Sequence, residues 1–302
     1  MAELSDEEVL ERLGTFRQYQ HDGQRVPNKP LLVLLALGRL DDTGSSALPW
    51  SEAETRLADL IAEFGPPSRT GRPQSAAYPF TRLRADGIWE IDQDVPNDNL
   101  GPLREQHVTG HLSPALEDSL RARPMLLHAA ARRLVESQFP LTVAADVLTA
   151  VGLDPDLVFG SVTGVLSLEQ RRRRSSSWPQ RILAAWDRQC AFCGYDGQLA
   201  GTVVGLEAAH VRWFNLGGPD SEDNGMALCS LHHKLFDRGA VGLDRDYRIR
   251  VSDLFSARTE SAKRHYELHD KQLSPRRGTE LPAVEYIDWH TTQVFKGHAL
   301  CA

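Results

Sequence analysis

Over the first 160 residues the apolar positions recur mostly at helical spacing. Ser5-x-x-Glu8 is a capping box, and Val9, Leu10 and Leu13 behind it form one face of a helix that ends near Phe16. Behind Pro30 stands the apolar run Leu31-Leu32-Val33-Leu34-Leu35-Ala36-Leu37. A bilayer span needs roughly 18 such residues, so this run reads as a buried core helix, stopped at Gly38 or at the Asp-Asp-Thr-Gly turn. A second capping box, Ser51-x-x-Glu54, opens a helix through Leu57, Leu60, Ile61 and Phe64 that Gly65-Pro66-Pro67 ends. Residues 78–83 and 88–91 read as two strands joined at Asp86-Gly87, a hairpin signal. Residues 106–112 read as a loop, and further helices are predicted at 114–122, 124–138 and 142–151. There is no internal repeat.

Near 155–177 the pattern breaks. Ser, Thr and Gly become frequent, and Arg171-Arg172-Arg173-Arg174-Ser175-Ser176-Ser177 is a low-complexity charged run. The predicted organisation is therefore a first domain over 1–165, a linker over 166–177 and a second domain over 178–302, in the α+β class. With 302 residues and 41% hydrophobic side chains, the chain has material for two ordinary cores. No window is apolar enough to span a membrane, and the acidic start lacks the features of an export signal, so the expected location is the cytoplasm.

A net charge of -7 argues at first against a nucleic-acid partner. It is an average over unlike parts: residues 1–165 hold 15 Lys and Arg against 24 Asp and Glu, and residues 166–302 hold 19 against 17. Within the acidic half, the stretch 23–40 carries Arg25, Lys29 and Arg39 without an acid. The stretch 65–85 carries Arg69, Arg72, Arg82 and Arg84, again without one. Such partitioning can focus a positive field on one surface.

The chain has 4 cysteines, too few for a disulfide framework at this length. Cys190-Ala-Phe-Cys193 and Cys229-Ser-Leu-His232 are two pairs with the spacing of a zinc site, and 35 residues lie between them. One lone Cys-x-x-Cys is weak; two matched pairs are specific. A structural Zn2+ at Cys190, Cys193, Cys229 and His232 is expected, with Cys301 left over. Inside the loop so closed lie His210, on a strand-like segment, then Asn224, then His233. His232 and His233 are adjacent on a short predicted helix, where successive side chains diverge by about 100°, so one can face zinc and the other a cleft. His21, His128, His265, His269, His290 and His298 read as ordinary structural histidines.

Framed in this way, His210, Asn224 and His233 resemble the HNH nuclease motif of the ββα-metal fold, over residues 178–252. The resemblance implies His210 as the general base that activates water, Asn224 as the residue holding the base-bearing loop and the imidazole, and His233 as ligand to a catalytic divalent ion, Mg2+ or Mn2+. Many such proteins place an acid just before the base; here that position is Ala209. Glu207 or Asp237, the latter one turn beyond His233, is available to complete the metal shell, and Glu207 could instead orient His210.

In the first domain, Arg25-Val26-Pro27-Asn28-Lys29-Pro30 and Ala76-Ala77-Tyr78-Pro79-Phe80-Thr81-Arg82-Leu83, followed by Asp86-Gly87-Ile88-Trp89, resemble the sulfur-binding domain of McrA-like type IV restriction endonucleases that recognise phosphorothioate DNA. The implied fold is a mixed helical and small-sheet sulfur-binding domain followed by a zinc-stapled ββα-metal HNH domain. By that resemblance Pro27, Ala76, Ala77, Tyr78 and Pro79 line a shallow sulfur pocket, and Arg25, Asn28, Lys29, Arg72 and Arg82 surround it. The residue types suit the task, since sulfur is larger and less hydrated than oxygen and loses less against apolar groups. The implied partner is phosphorothioated double-stranded DNA, met by a homodimer because one centre addresses one strand. Two other readings stay open: an HNH endonuclease that reads another mark such as a methylated base, and a zinc-containing DNA-binding protein without activity.

Overall fold

The computed structural model describes residues 4–17, 20–21, 24–68, 74–160, 177–273, 275 and 278–300. Arg72 and the arginine run at 171–174 lie outside these residues, as does Cys301. The chain divides into two compact units, Met1–Ser167 and Leu168–Ala302. No helix among the described residues is long and apolar enough to cross a membrane.

The first unit contains α1 (Asp6–Gly14), the ladder β1 (Gln20–His21) and β2 (Gln24–Arg25), α2 (Asn28–Thr43), β3 (Leu48–Pro49), α3 (Trp50–Phe64), α4 (Ala77–Arg82), β4 (Trp89–Ile91), α5 (Leu100–Glu105), β5 (Thr109–Leu112), α6 (Pro114–Ala122), α7 (Pro124–Gln138), α8 (Leu141–Val151) and α9 (Pro155–Gly160). The capping box forms: Glu8 N–H donates to Ser5 Oγ at 3.2 Å while Ser5 N–H donates to Glu8 Oε2 at 2.8 Å. Helix α2 is the axis of the unit. Its apolar run from Leu31 to Leu37 is wholly buried, with α3, α4, α6, α7 and α8 packed around it. It ends at Gly44, whose φ of 74° lets its N–H reach Leu40 O. Beside it, β3, β5 and β4 form a small antiparallel sheet in that order, with Leu48 opposite Gly110 and Trp89 opposite Leu112.

Three expectations fail here. Residues 78–83 are helical, not extended: α4 runs on into a 3-10 turn, Leu83–Asp86. Ala77, Phe80, Thr81 and Leu83 are buried together at helical spacing, and Phe80 wedges its ring between Trp50 and Trp89 at centroid distances of 5.0 and 5.6 Å. Gly87, at φ 71°, caps that turn instead of making a hairpin. The second capping box does not form, because Pro49 takes the N-cap position and α3 starts at Trp50, a core residue whose N–H donates to Val108 O at 2.7 Å. Residues 109–112 form the middle strand of the sheet, not a loop.

The second unit contains α10 (Trp178–Ala185), the ladder β6 (Gln198–Leu199) and β7 (Thr202–Val203), β8 (Leu206–His210), β9 (Gly225–Cys229), α11 (Ser230–Asp237), the hairpin β10 (Val241–Leu243) and β11 (Ile249–Val251), α12 (Glu260–Lys263) and α13 (Val284–Gln293). Strands β8 and β9 pair antiparallel from Leu206 opposite Cys229 to His210 opposite Gly225. Helices α10 and α11 both pack on them, around a core that includes Ile182, Phe192, Met226, Leu228, Phe236 and Val241. In this ββα unit the end of β8 lies beside the start of β9, and the end of β9 leads into α11 beside the start of β8.

Candidate active site and recognition surface

Cys190 and Cys193 lie on the turn beyond α10, Cys229 ends β9, and His232 sits in the first turn of α11. Their ligand atoms all lie within 4.8 Å of one another. Cys190 Sγ and Cys229 Sγ lie 3.5 and 3.2 Å from His232 Nδ1, and Cys193 Sγ lies 4.0 Å from Cys229 Sγ. A tetrahedral zinc with ordinary bond lengths sets ligand-to-ligand edges of about 3.5–3.8 Å, so the four side chains fit that ion. The thiols are coupled: Cys229 is pushed up to about 11, first by its contact with Cys190 and then by burial, while the same contact lowers Cys190.

His210 closes β8. A carboxylate only accepts, so His210 Nε2 donates to Asp220 Oδ1 at 2.9 Å, which leaves Nδ1 as the basic nitrogen of the neutral ring. Trp178 stacks on the imidazole at 3.8 Å and 12°, anchored by its own Nε1–H to Ser221 O at 2.9 Å. Gly225, opposite His210, leaves room for that stack, since a Cβ there would meet Ile182 at 2.4 Å and Trp178 at 2.9 Å.

Asn224 is wholly buried and spans the loop between the two strands. Its Oδ1 accepts from Arg212 N at 2.8 Å, and its Nδ2 donates to Arg212 O and Pro219 O, both at 3.0 Å. It therefore holds the loop, and Asp220, the residue after Pro219, holds the ring.

His233 stands between two carboxylates. Its Nδ1 lies 2.7 Å from Glu207 Oε2 and its Nε2 3.2 Å from Asp237 Oδ2. Burial pulls its pKa down, but Asp237 and then Glu207 outweigh burial and carry it up to about 10. Glu207 is in turn held below the usual carboxylate range by His233, against its burial. A site that holds a proton so firmly between two acids is one that suits a cation. Glu207, on β8, reaches His233 on α11.

The segments expected to form the sulfur pocket meet in space. Asn28 Nδ2 donates to Gln74 Oε1 at 3.2 Å, and Lys29 forms an ion pair with Asp86, tying the start of α2 to both ends of the α4 segment. Pro27, Ala76, Ala77 and Pro79 are buried, Tyr78 is half-buried, and Arg82 is exposed with its guanidinium 5.4 Å from the Tyr78 ring centre. Lys29 departs from expectation: it is buried against an equally buried Asp86 and faces no solvent. Arg82 grips Asp98 with Nε at 2.9 Å and Nη2 at 2.6 Å. Arg25 lies on β2.

Sequence reasoning missed Asp220, Trp178, Trp213 and Asp98. The Gly217-Gly218-Pro219-Asp220 stretch announces a turn, but its folding back onto His210 is set by Asn224, fourteen positions from that histidine. The other three residues gave no local signal.

A histidine oriented by an aspartate, a loop-stapling asparagine and a histidine among acids, assembled on two strands and a helix beside a zinc-type cluster, have the layout of a ββα-metal unit. Comparison with known proteins agrees: the family described as HNH endonuclease matches residues 190–244, and the ScoMcrA-like DNA sulfur-binding domain family matches residues 6–156. The chain belongs to the ScoMcrA-like sulfur-binding family, and its second unit makes it an HNH-type DNA endonuclease.

Similar solved structures include the sulfur-binding domain of ScoMcrA complexed with phosphorothioated DNA, 21% identical over 47% of this chain and 97% of that one, TM-score 0.39. The type IV phosphorothioation-dependent restriction endonuclease ScoMcrA is 12% identical over 93% of this chain and 99% of that one, TM-score 0.37. The modification-dependent TagI restriction endonuclease is 21% identical over 39% and 37%, TM-score 0.32. Among curated proteins, none matches.

Proposed function

We propose that the chain is a type IV restriction endonuclease whose first unit docks on phosphorothioated duplex DNA and whose second unit hydrolyses phosphodiester bonds nearby. The observation that carries this reading is the joining, in one chain, of a sulfur-binding domain over 6–156 to an HNH domain over 190–244. The half-buried Tyr78 offers the weakly polar surface that suits sulfur, with the buried Pro27, Ala76, Ala77 and Pro79 as the wall of that pocket, and Arg25, Asn28, Arg72 and Arg82 offer polar contacts to the flanking DNA. Lys29 serves from within, through Asp86.

At the cutting site, His210 Nδ1 takes a proton from water while Asp220 stabilises the charge that forms on the ring. The water oxygen bonds to phosphorus and the bond to the 3′-oxygen breaks. His233 and a neighbouring carboxylate would hold a divalent ion, Mg2+ or Mn2+, which would supply positive charge to the phosphate and the leaving oxygen. Cys190, Cys193, Cys229 and His232 would hold the zinc that staples the fold. Two copies acting as a homodimer address the two strands.

Incubating sulfur-modified and unmodified duplexes of one sequence with the full chain and Mg2+ or Mn2+ tests the reading. Cleavage of the modified duplex alone is expected, and equal cutting of both overturns the targeting. Tyr78→Ala is expected to weaken binding of the modified duplex by roughly tenfold or more, the loss of about 1–2 kcal/mol of contact, while leaving unmodified DNA unaffected. The inactive reading, a zinc-containing DNA-binding protein, finds no support.

A further inference from the structure

Glu207 and Asp237 both touch His233, but from opposite sides of the ring, so one ion cannot meet both carboxylates through one nitrogen. Their surroundings separate them. Asp237 has a side chain only 1% exposed. Its Oδ1 accepts from Trp213 Nε1 at 2.9 Å, and its Oδ2 faces His233 Nε2. Trp213 packs edge-on against Trp289 of α13 at 5.7 Å, and His290 of the same helix donates Nε2–H to Phe236 O, the carbonyl just before Asp237. Asp237 is thus enclosed, with both oxygens engaged.

Glu207 is the reverse case. Its side chain is 44% exposed, with Oε1 accepting from Ser230 Oγ at 2.7 Å and Oε2 on His233 Nδ1. Side chains alternate along a strand, so Glu207 and Ala209 share one face of β8. The carboxylate that many HNH proteins carry at the Ala209 position is here moved two residues along the same face.

We propose that His233 Nδ1 and Glu207 are the protein ligands of the catalytic ion, and that Asp237 and Trp213 are positioning residues that fix the His233 ring. This rests on the nuclease reading above. Asp237 holds the proton on Nε2, as carboxylates behind metal-bound histidines do, so that an ion displacing the proton between Nδ1 and Glu207 would meet the Nδ1 lone pair on the solvent-facing side. Trp213 lies three residues beyond His210, in the loop that follows β8, so the hydrogen bond from its indole to Asp237 sets base and ligand relative to each other.

The test is Mn2+ binding to the full zinc-loaded chain, followed by titration calorimetry and by the electron paramagnetic resonance spectrum of the bound ion. Glu207→Gln is expected to weaken binding by on the order of 100-fold and to change the spectrum. Asp237→Asn and Trp213→Phe are expected to weaken it by about tenfold and leave the spectrum as in the parent. Because Asp237 is buried, Trp213→Phe, which removes the N–H donor together with part of the indole's volume, reads the same role from the other partner, and zinc content reports that each variant is folded. Unchanged binding in Glu207→Gln, or a changed spectrum in Asp237→Asn, overturns the assignment. A parent chain that binds Mn2+ and cuts no DNA overturns the nuclease reading instead and leaves the ligand assignment standing.

Discussion

At His210 three neighbours each fix a different coordinate of one ring. Asp220 selects the protonated nitrogen, Trp178 sets the ring plane, and Gly225 makes the space for that plane. Asp220→Asn removes the carboxylate while keeping the shape, and its amide can face the ring with N–H instead of oxygen. We expect kcat for cleavage to fall by roughly 100-fold or more, with KM for DNA little changed, since a base held in the wrong tautomer loses its proton acceptor. Single-turnover cleavage with binding measured in parallel checks this; a pure KM effect would show that Asp220 serves DNA contact. His210, Asn224 and His233 were legible as candidates because their types and intervals match a known motif. Asp220 was not, because its place depends on how a Gly-Gly-Pro turn closes in space.

Among the elements, the helices of the first unit were read well from their sequence: 114–122 and 124–138 coincide with α6 and α7. Their apolar spacing faces one central helix, so local pattern and global burial agree. The strand expected at 78–83 failed because Phe80, Thr81 and Leu83 belong to a helical face whose partners, Trp50 and Trp89, lie far off in sequence. In the second unit, α13 was invisible as part of the site, yet it buttresses α11 through His290, which stacks on Phe236 at 3.8 Å. Burial lowers the His290 pKa to about 4, so the folded state resists the proton that the unfolded chain accepts near pH 6.5. The sign follows: this histidine contributes no penalty above that pH, and stability is lost as pH falls from about 6.5 to about 4, by about 1 kcal/mol per pH unit. His290→Phe is expected to flatten that part of the unfolding-versus-pH curve in chemical denaturation; an unaltered slope would place the proton uptake elsewhere.

Over the whole molecule, the net charge of -7 says little about where DNA lies. The two acid-free stretches are acid-free only along the chain. In space Lys29 meets Asp86, Arg39 meets Glu52 and Arg82 meets Asp98, while Arg84 serves Thr81 O, Val95 O and Asn97. Asp98 is held in place: its φ is 62°, in the left-handed region that aspartate adopts more readily than most non-glycine residues, and its N–H donates to Thr81 Oγ1 at 3.1 Å. Removing the charge by Asp98→Asn is expected to raise affinity for unmodified DNA by up to about fivefold, the range of an exposed ion pair, and to lessen the preference for sulfur. Fluorescence anisotropy with paired duplexes measures it; no change in either affinity would place Arg82 away from the DNA.

The Arg82–Asp98 pair also bears on how binding responds to salt. DNA sheds a condensed counterion for each phosphate that a protein cation neutralises, and affinity then falls steeply as salt rises. Where a phosphate takes Arg82 from Asp98, the internal pair must be broken, and salt weakens that pair as well, so rising salt takes less from binding than it would from a free arginine. An endonuclease built in this way holds its target with an affinity that changes less between dilute and concentrated salt than its number of arginines suggests, and contact with the modified position carries a larger share of what remains.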